Sequence, residues 1–336
     1  MTNLAMKPEL IPETFNYTVL ENLSREDQYL WLGSQIGDTP LVPAPTFEGQ
    51  VMMKAECANP SGSHYDRAYL QTIMELEQEG LIRPGDELRD ITSGSAGISL
   101  SMIGSALGYH IRVTVPDELP ESRVKPMQDW QAEVVRCGSG YIRRASEFQY
   151  GEIVDFKRSG WSRIRSQNPN MRAVIFENGD KRICYLNHSE NQTSPDSFSN
   201  IAVELDIAFQ DQNKPSAIAL AMGNFTTIAG IAPVIRELWP EAEIIGYEGT
   251  ARDIHTNFGT TVDGIPLRFK DLSLLDQTMA ITDDERDGMD ERVNPHLAAE
   301  QRLGHSSLMG LVVAGRILTS VNGPVVTIAY DHKSRY

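Results

Sequence analysis

Two adjacent side chains, His64 and Tyr65, stand at the start of a helix-like segment and carry groups that can exchange protons. A free phenol titrates near ~10, so Tyr65 can act as a base only if its surroundings lower its pKa. Asp263 adds a carboxylate in a later Gly- and Thr-containing stretch. We therefore take Tyr65, His64 and Asp263 as candidate catalytic acid–base groups. The alternative for Tyr65 is that its ring only fills space in a cleft.

A Ser/Gly segment at residues 92–97 (TSGSAG) lies between a strand-like run and a helix-like run. The first N–H groups of a helix have no partner within the helix and lie at the positive end of its dipole, so they can bind a carboxylate. The alternative is a Ser/Gly helix start with no ligand. The candidate substrate-binding residues of this segment are Thr92, Ser93, Gly94, Ser95 and Gly97.

Strand-like and helix-like segments alternate along the chain, and this β-α-β-α-β order predicts parallel sheets with helices on their faces. Residues 178–200 are polar and rich in Asn and Ser, so we predict a long loop there. The predicted strands are 51–55, 88–91, 110–115, 133–136, 173–176, 216–222, 243–246 and 325–330. The predicted helices are 66–79, one that residues 92–97 open and that runs to about 107, 121–130, 145–158, 201–209, 227–238, 284–303 and 308–318.

Several ordered motifs give the chain, from about Thr39 to Tyr336, a strong resemblance to the cysteine synthase family of pyridoxal-phosphate (PLP) enzymes. Residues 59–67 (NPSGSHYDR) resemble the family's N-P-x-G-S-x-K-D-R, and residues 79–86 (EGLIRPGD) resemble its E-G-L-x-x-P-G-D. The resemblance implies the two-lobed α/β fold of type II PLP enzymes. Each lobe would be a mainly parallel sheet flanked by helices, with the cofactor cleft between the lobes. We expect residues 46–159 to form a smaller lobe, residues 1–45 with 160–336 a larger one, and the protein to be a homodimer.

The chain departs from the family where the cofactor would bind. Tyr65 stands where the family has the Lys that forms a Schiff base with PLP, and a phenol cannot form an imine. The family's phosphate loop G-T-G-G-T reads GNFTT here, so Phe225 and Thr226 replace glycines. Ser95 replaces the Asn that faces the ring hydroxyl, and Asp263 replaces a glycine of a third loop. The residues of the former PLP site that remain able to bind an anion or the ring are Gly223, Asn224, Thr226, Thr227 and Ser306.

These departures together predict a protein without conventional Lys–PLP catalysis, and they leave the cofactor open. The preferred hypothesis is a cleft that binds a small amino-acid-type carboxylate, in amino-acid or secondary metabolism. A second is a non-catalytic pseudoenzyme or the partner subunit of an active relative. A third is a PLP-dependent β-replacement or β-elimination lyase or transferase that holds PLP noncovalently or through another Lys. Lys54 is the nearest lysine, although it matches a non-catalytic Lys of the family.

The amino-acid composition restricts the kinds of molecule that the protein can bind. The net charge of −16 over 336 residues disfavours nucleic acids and anionic membranes, because both are bound by clustered Lys and Arg. No signal-peptide-like start and no apolar run near ~18 residues is evident, and the three cysteines form no disulfide or zinc pattern. We therefore expect a cytoplasmic protein whose ligand is a small molecule, with no metal site.

Overall fold

The computed structural model describes residues 16–250 and 267–336, which form two six-stranded sheets flanked by helices. The strands are β1 Leu41–Pro43, β2 Val51–Lys54, β3 Glu87–Ile91, β4 His110–Val115, β5 Glu133–Arg136, β6 Ser162–Ile164, β7 Val174–Asn178, β8 Lys181–Tyr185, β9 Ala217–Ala221, β10 Glu243–Gly249, β11 Gln277–Ile281 and β12 Val325–Ile328. The helices are α1 Arg25–Gln35, α2 Tyr65–Gln78, α3 Ser95–Ala106, α4 Glu121–Asp129, α5 Tyr141–Arg158, α6 Thr193–Ala208, α7 Thr226–Leu238, α8 Asp283–Val293 and α9 His305–Ile317. Within these ranges no helix is both long and apolar enough to cross a membrane.

Both sheets are parallel at their centres, as the alternating pattern predicts. The first sheet has the order β5-β4-β3-β8-β7-β6, and only its β8–β7 and β7–β6 pairs are antiparallel. The second has the order β1-β2-β12-β9-β10-β11, and only its β1–β2 pair is antiparallel. Pairing thus places residues 162–185 in the first sheet and 51–54 in the second, whereas the predicted lobes divide the chain at residues 46 and 159. The lobe boundaries themselves stay a prediction.

The prediction of a long loop over residues 178–200 is wrong. β8 lies in the middle of the first sheet, and α6 begins at Thr193, eight residues earlier than the helix predicted from residue 201. β8 begins with two charged residues, Lys181 and Arg182, and is buried only from Ile183 onward. Its apolar run is therefore too short to be recognised as a strand. Pro195 lies in the first turn of α6, where a missing N–H costs nothing, although within a polar segment it suggests a loop.

Helix α2 lies between the two sheets and belongs to both hydrophobic cores. Its Ala68 is buried in the core of the second sheet, whereas Tyr69 and Ile73 are buried in the core of the first. The helix also packs against α3 and α6. The position of α2 therefore fixes where its first residues, which include Tyr65, meet the space between the sheets.

A buried cluster of charges anchors α2. Both sides of the Arg67 guanidinium are occupied, by the Glu56 carboxylate at 2.8 Å and by the Glu204 carboxylate of α6 at 2.6 and 2.8 Å. Lys54 donates to Glu204 and to the Thr39 carbonyl oxygen. Burial alone would raise the pKa of Glu56, but the Arg67 charge outweighs it and lowers that pKa to about 2. The stability that Glu56 contributes is therefore present above its ordinary pKa and is lost as the pH falls toward 2.

We expect Arg67→Met to lower the free energy of unfolding by about 3–5 kcal/mol, because it leaves the Glu56 carboxylate buried without a counter-charge. Urea unfolding followed by circular dichroism measures this change. Lys125→Met is the matched control, since it removes an exposed i,i+4 ion pair with Asp129 and should change stability by less than about 0.5 kcal/mol. Equal effects of the two substitutions would show that the cluster does not anchor the fold.

Candidate functional site

A cavity of about 460 Å³ lies between the two sheets, and we call it the central cavity. It is lined by the ends of strands and the starts of helices from both sheets, which is where parallel α/β folds place ligands. Most of the predicted site residues are among those that line it. These are His64, Tyr65, Thr92, Ser93, Ser95, Gly223, Asn224, Thr227 and Ser306.

Three predicted residues are placed differently. Gly97 is a buried residue of the first turn of α3, where an added Cβ would come within 2.5 Å of the Thr92 side chain, so its role here is close packing. Thr226, the first residue of α7, is fully buried, and Gly94 packs against Arg123. Asp263 lies outside the described residues, so its candidacy stays a prediction.

His64 is a buried, neutral imidazole. Its Nε2 lies 3.1 Å from Thr227 Oγ1, and its Nδ1 has no hydrogen-bond partner among the described residues. The ring packs against Tyr65, Phe198 and Tyr330, with centroids 4.3 to 5.2 Å apart. Burial lowers the pKa of His64 to about 4, so it carries no charge at neutral pH.

Tyr65 places a neutral phenol against the central cavity. Burial raises its pKa well above the ordinary value, although a hydrogen bond with Asn224 acts in the opposite direction. Its ring meets that of His188 edge-on at 5.3 Å. In this environment Tyr65 is a hydrogen-bond donor or a filler of space rather than a base.

The start of α7 is closed by its own side chains. Phe225, the N-cap, has the left-handed φ of 67°, which is uncommon for a bulky residue, and its ring is buried. Asn224 Oδ1 accepts hydrogen bonds from Thr226 N at 3.1 Å and from Thr226 Oγ1 at 2.6 Å. Thr227 is bonded to His64. The Thr226 N–H and the hydroxyls of Thr226 and Thr227 are therefore already paired within the protein.

The start of α3 is only partly capped. Thr92 Oγ1 accepts from Gly94 N at 2.9 Å and from Gly97 N at 3.2 Å, while the N-cap Gly94 has no side chain to contribute. Ser95 Oγ donates to Asp331 at 3.1 Å. The N–H groups of Ser95 and Ala96 have no acceptor within the helix, and both residues line the central cavity.

The described residues do not fit a PLP held by an imine and a phosphate loop. No described residue that lines the central cavity is a lysine. Lys54 Nζ is buried and paired with Glu204 and the Thr39 carbonyl, so it is not available to an aldehyde in the cavity. At the start of α7, the Thr226 N–H and the Thr227 hydroxyl are already bonded to other protein groups, so they are not free to bind a cofactor phosphate. Lysine-linked chemistry therefore has no support from this arrangement.

A hydrogen-bonded series on one side of the cavity was not predicted from the sequence. Asp90 at the end of β3 bonds His188 Nδ1 at 3.1 Å, and His188 Nε2 lies 3.2 Å from Ser189 Oγ. Asn224 Nδ2 donates to the same Ser189 oxygen at 3.1 Å. The available signals were an Asp at a strand end and a His-Ser pair in a polar segment, but only strand order brings them together.

The lowered pKa of His64 predicts that the protein loses stability toward unfolding as the pH falls. Its folded-state pKa of about 4 is below the ordinary value of 6.5, so the neutral form is favoured by folding, and this contribution is lost as the pH falls below 6.5. Between pH 7 and pH 5 the loss amounts to about 2 kcal/mol. We expect His64→Gln to lose less stability than the wild type by that amount over this interval, as measured by urea unfolding at both pH values. His110→Gln, at an exposed site, is the control and should keep the pH dependence of the wild type. Equal loss of stability in the wild type and His64→Gln between pH 7 and pH 5 would contradict a neutral, buried His64.

Comparison with known proteins gives the family. The model of the pyridoxal-phosphate dependent enzyme family matches residues 32–293. A probable cysteine synthase of Bacillus subtilis is 29% identical over 321 residues, which cover 90% of this chain and 94% of that protein. Cysteine synthase B of Escherichia coli is 27% identical over 319 residues, which cover 91% and 93%.

Solved structures agree on the fold. O-ureido-L-serine synthase aligns with a TM-score of 0.71 at 20% identity, covering 91% of this chain and 92% of that one. A hydrogen sulfide-producing enzyme from Fusobacterium nucleatum aligns with a TM-score of 0.72 at 21% identity, covering 91% and 98%. The predicted two-sheet fold of type II PLP enzymes is confirmed. The chain belongs to the pyridoxal-phosphate dependent enzyme family.

Proposed function

We propose that this chain binds a small amino-acid-type carboxylate in the central cavity and does not use a Lys–PLP imine. The observation that carries this proposal is the contrast between two helix starts that face one cavity. At the start of α7 the first N–H, of Thr226, and the Thr227 hydroxyl are bonded to Asn224 and His64. At the start of α3, Thr92 accepts from Gly94 N and Gly97 N, and the first two helical N–H groups, of Ser95 and Ala96, are left without an acceptor within the helix. An anionic group therefore finds its best partners at α3.

A buried arginine supports anion binding at α3. Arg123 Nη1 donates to the Ser93 carbonyl oxygen at 2.8 Å, and the Arg123 side chain is only 3% exposed. Its aliphatic part passes so close to Gly94 that an added Cβ would lie 2.4 Å from Arg123 Cδ. Arg123 thus shapes the loop and places a positive charge behind the helix start, where it adds to the helix dipole.

Acidic groups on the same cavity suit the amino group of such a ligand. Asp90, Glu190 and Asp331 all line the cavity, and Asp331 is also bonded to Ser95 next to the proposed carboxylate site. A ligand with an ammonium group beside its carboxylate satisfies both kinds of partner at once. An ammonium group adds a counter-charge to those that the protein already supplies, such as Arg123 Nη2 at 4.0 Å from Asp331, and this favours an amino acid over a simple acid.

The first test concerns the cofactor. We expect purified protein mixed with PLP to show only free-aldehyde absorbance that dialyses away, because no described lysine lines the cavity. Borohydride reduction followed by mass spectrometry should then find no adduct on a lysine. A shifted aldimine band with a reduced adduct on one lysine would overturn the proposal and identify a replacement Schiff-base residue. A dialysable complex that stays bound at low micromolar PLP would favour noncovalent cofactor use instead.

The second test concerns the carboxylate site. We expect at least one L-amino acid to raise the melting temperature while its carboxamide does not, as measured by scanning fluorimetry across the proteinogenic amino acids. Gly94→Ala should weaken that binding by about tenfold or more in Kd, a change of ~1.4 kcal/mol, because the new Cβ displaces Arg123 and reshapes the loop.

Gly151→Ala is the matched control for this substitution, since no atom lies within 4 Å of an added Cβ there. The control should keep the wild-type Kd. If no amino acid stabilises the wild-type protein, the proposal fails, and a partner-subunit role becomes the better hypothesis. If amino acids and their amides bind equally well, the α3 start is not a carboxylate site.

A further inference from the structure

Two neighbouring parallel strands bring Asp90 beside a turn that carries His188 and Ser189. β3 and β8 pair in parallel, with Arg89 opposite Tyr185, and Leu186 N continues the ladder by donating to the Arg89 carbonyl oxygen at 2.9 Å. Asp90 follows Arg89 on β3. The turn that carries His188 and Ser189 follows Leu186 after the end of β8. All three side chains therefore meet at the carboxyl edge of the sheet, on the central cavity.

The turn is sharp and held by several bonds. Asn187 has a left-handed φ of 53°, and its carbonyl oxygen accepts from Glu190 N at 2.8 Å and from Asn191 N at 3.1 Å. Gln149 of α5 donates to the Asn187 side chain at 2.7 Å. Asparagine tolerates this conformation better than most non-glycine residues, and these bonds hold it in place. Here the conformation places two consecutive side chains, His188 and Ser189, against one cavity.

Asp90 fixes the protonation of His188. The Asp90 carboxylate is buried and accepts hydrogen bonds from Ile91 N, Tyr69 Oη, His188 N and His188 Nδ1 at 2.8 to 3.2 Å. Tyr69 Oη also lies 3.1 Å from Nδ1, and when its proton is given to the Asp90 carboxylate at 3.0 Å, the carboxylate, which only accepts, is satisfied at Nδ1 by an Nδ1 proton. His188 Nε2 then has a free lone pair, directed at Ser189 Oγ 3.2 Å away.

Ser189 is oriented from its other side. Asn224 Nδ2 donates to Ser189 Oγ at 3.1 Å, so a lone pair of that oxygen is occupied and its hydroxyl proton is free to point at His188 Nε2. Ser189 is only partly buried and lines the cavity, so a ligand can reach its oxygen. This is the arrangement of a nucleophile, a base and a carboxylate that orients the base, recognised by geometry and not by position along the chain.

The geometry points to a second chemistry in this cavity: hydrolysis of small carboxylic esters or thioesters through Ser189, with His188 as general base and Asp90 as its positioning residue. Ser189 Oγ attacks the acyl carbon, and its proton passes to His188 Nε2. The alkoxide or thiolate leaves with that proton as the carbon–oxygen or carbon–sulfur bond breaks. A solvent water then attacks the acyl-serine and gives a proton to His188, which returns it to Ser189 Oγ. The products are a carboxylic acid and an alcohol or thiol.

The residues around Ser189 indicate a short acyl group and supply a hydrogen-bond donor for the charge that develops on its carbonyl oxygen. Ile142, Ile153, Leu267 and Met309 contribute apolar lining to the cavity, which suits a short acyl chain. Asn224 Nδ2, already within hydrogen-bond distance of the attacking oxygen, is placed to donate to the oxyanion that forms next to it. This activity does not depend on carboxylate binding at α3, because Ser189, His188 and Asn224 lie outside that site. Asp90, which also lines the side offered to a ligand's amino group, acts here through His188.

The test uses a fluorophosphonate probe and p-nitrophenyl acetate on the full chain. We expect the probe to label one peptide, the one that contains Ser189, and the protein to hydrolyse the ester. Ser189→Ala should abolish labelling, and His188→Gln should slow both labelling and hydrolysis by about 100-fold or more, the usual contribution of a general base.

Ser146→Ala is the matched control, because Ser146 lines the same cavity but its hydroxyl donates to the Ile142 carbonyl oxygen within its own helix. It should keep the wild-type labelling rate. Melting temperatures show whether each variant is folded. No labelling of the folded wild-type protein, or equal labelling of Ser189→Ala, would overturn the inference. A folded His188→Gln that is labelled at the wild-type rate would also overturn it, since the network would then be only structural.

Discussion

The buried contact of Arg67 with two carboxylates is the interaction on which the site depends. It ties α2 to Glu56 on one side and to Glu204 of α6 on the other, so the helix cannot rotate without separating buried charges. Apolar packing holds α2 between the sheets but is not directional. The charge cluster supplies the direction, and with it the positions of His64 and Tyr65 at the beginning of the helix. The shape of the central cavity at this end follows from that constraint.

Local side-chain choices then decide what each helix start can bind. Both α3 and α7 point their first N–H groups toward one cavity, and the backbone alone would make both anion sites. At α7 an Asn side chain folds back on the first turn and Phe225 takes a left-handed conformation. At α3 a glycine leaves room for Arg123 and contributes no cap. Under the proposed function, changes in two short loops would move the preferred anion site of this fold from α7 to α3.

The sequence predicts the sheets and most helices because apolar runs alternate at the spacing that each element requires. It also predicts nine residues that line the cavity, mainly because their motifs resemble those of the cysteine synthase family. It fails at β8, where a short run with charged residues at its start hides a central strand. It fails equally for Asp90 and Ser189, because their approach depends on β3 lying next to β8. Strand order is a property of the whole sheet, not of either segment.

The two histidines of the cavity differ for a physical reason that bears on function. His64 is surrounded by rings and has a hydroxyl as its one hydrogen-bond partner among the described residues, so gaining a proton there costs desolvation without compensation. His188 is bonded to a buried carboxylate, which stabilises the charge that a base acquires during proton transfer. A base is useful only where its protonated form is supported. The side of the cavity formed by β3 and β8 meets that requirement, and the side formed by the start of α2 does not.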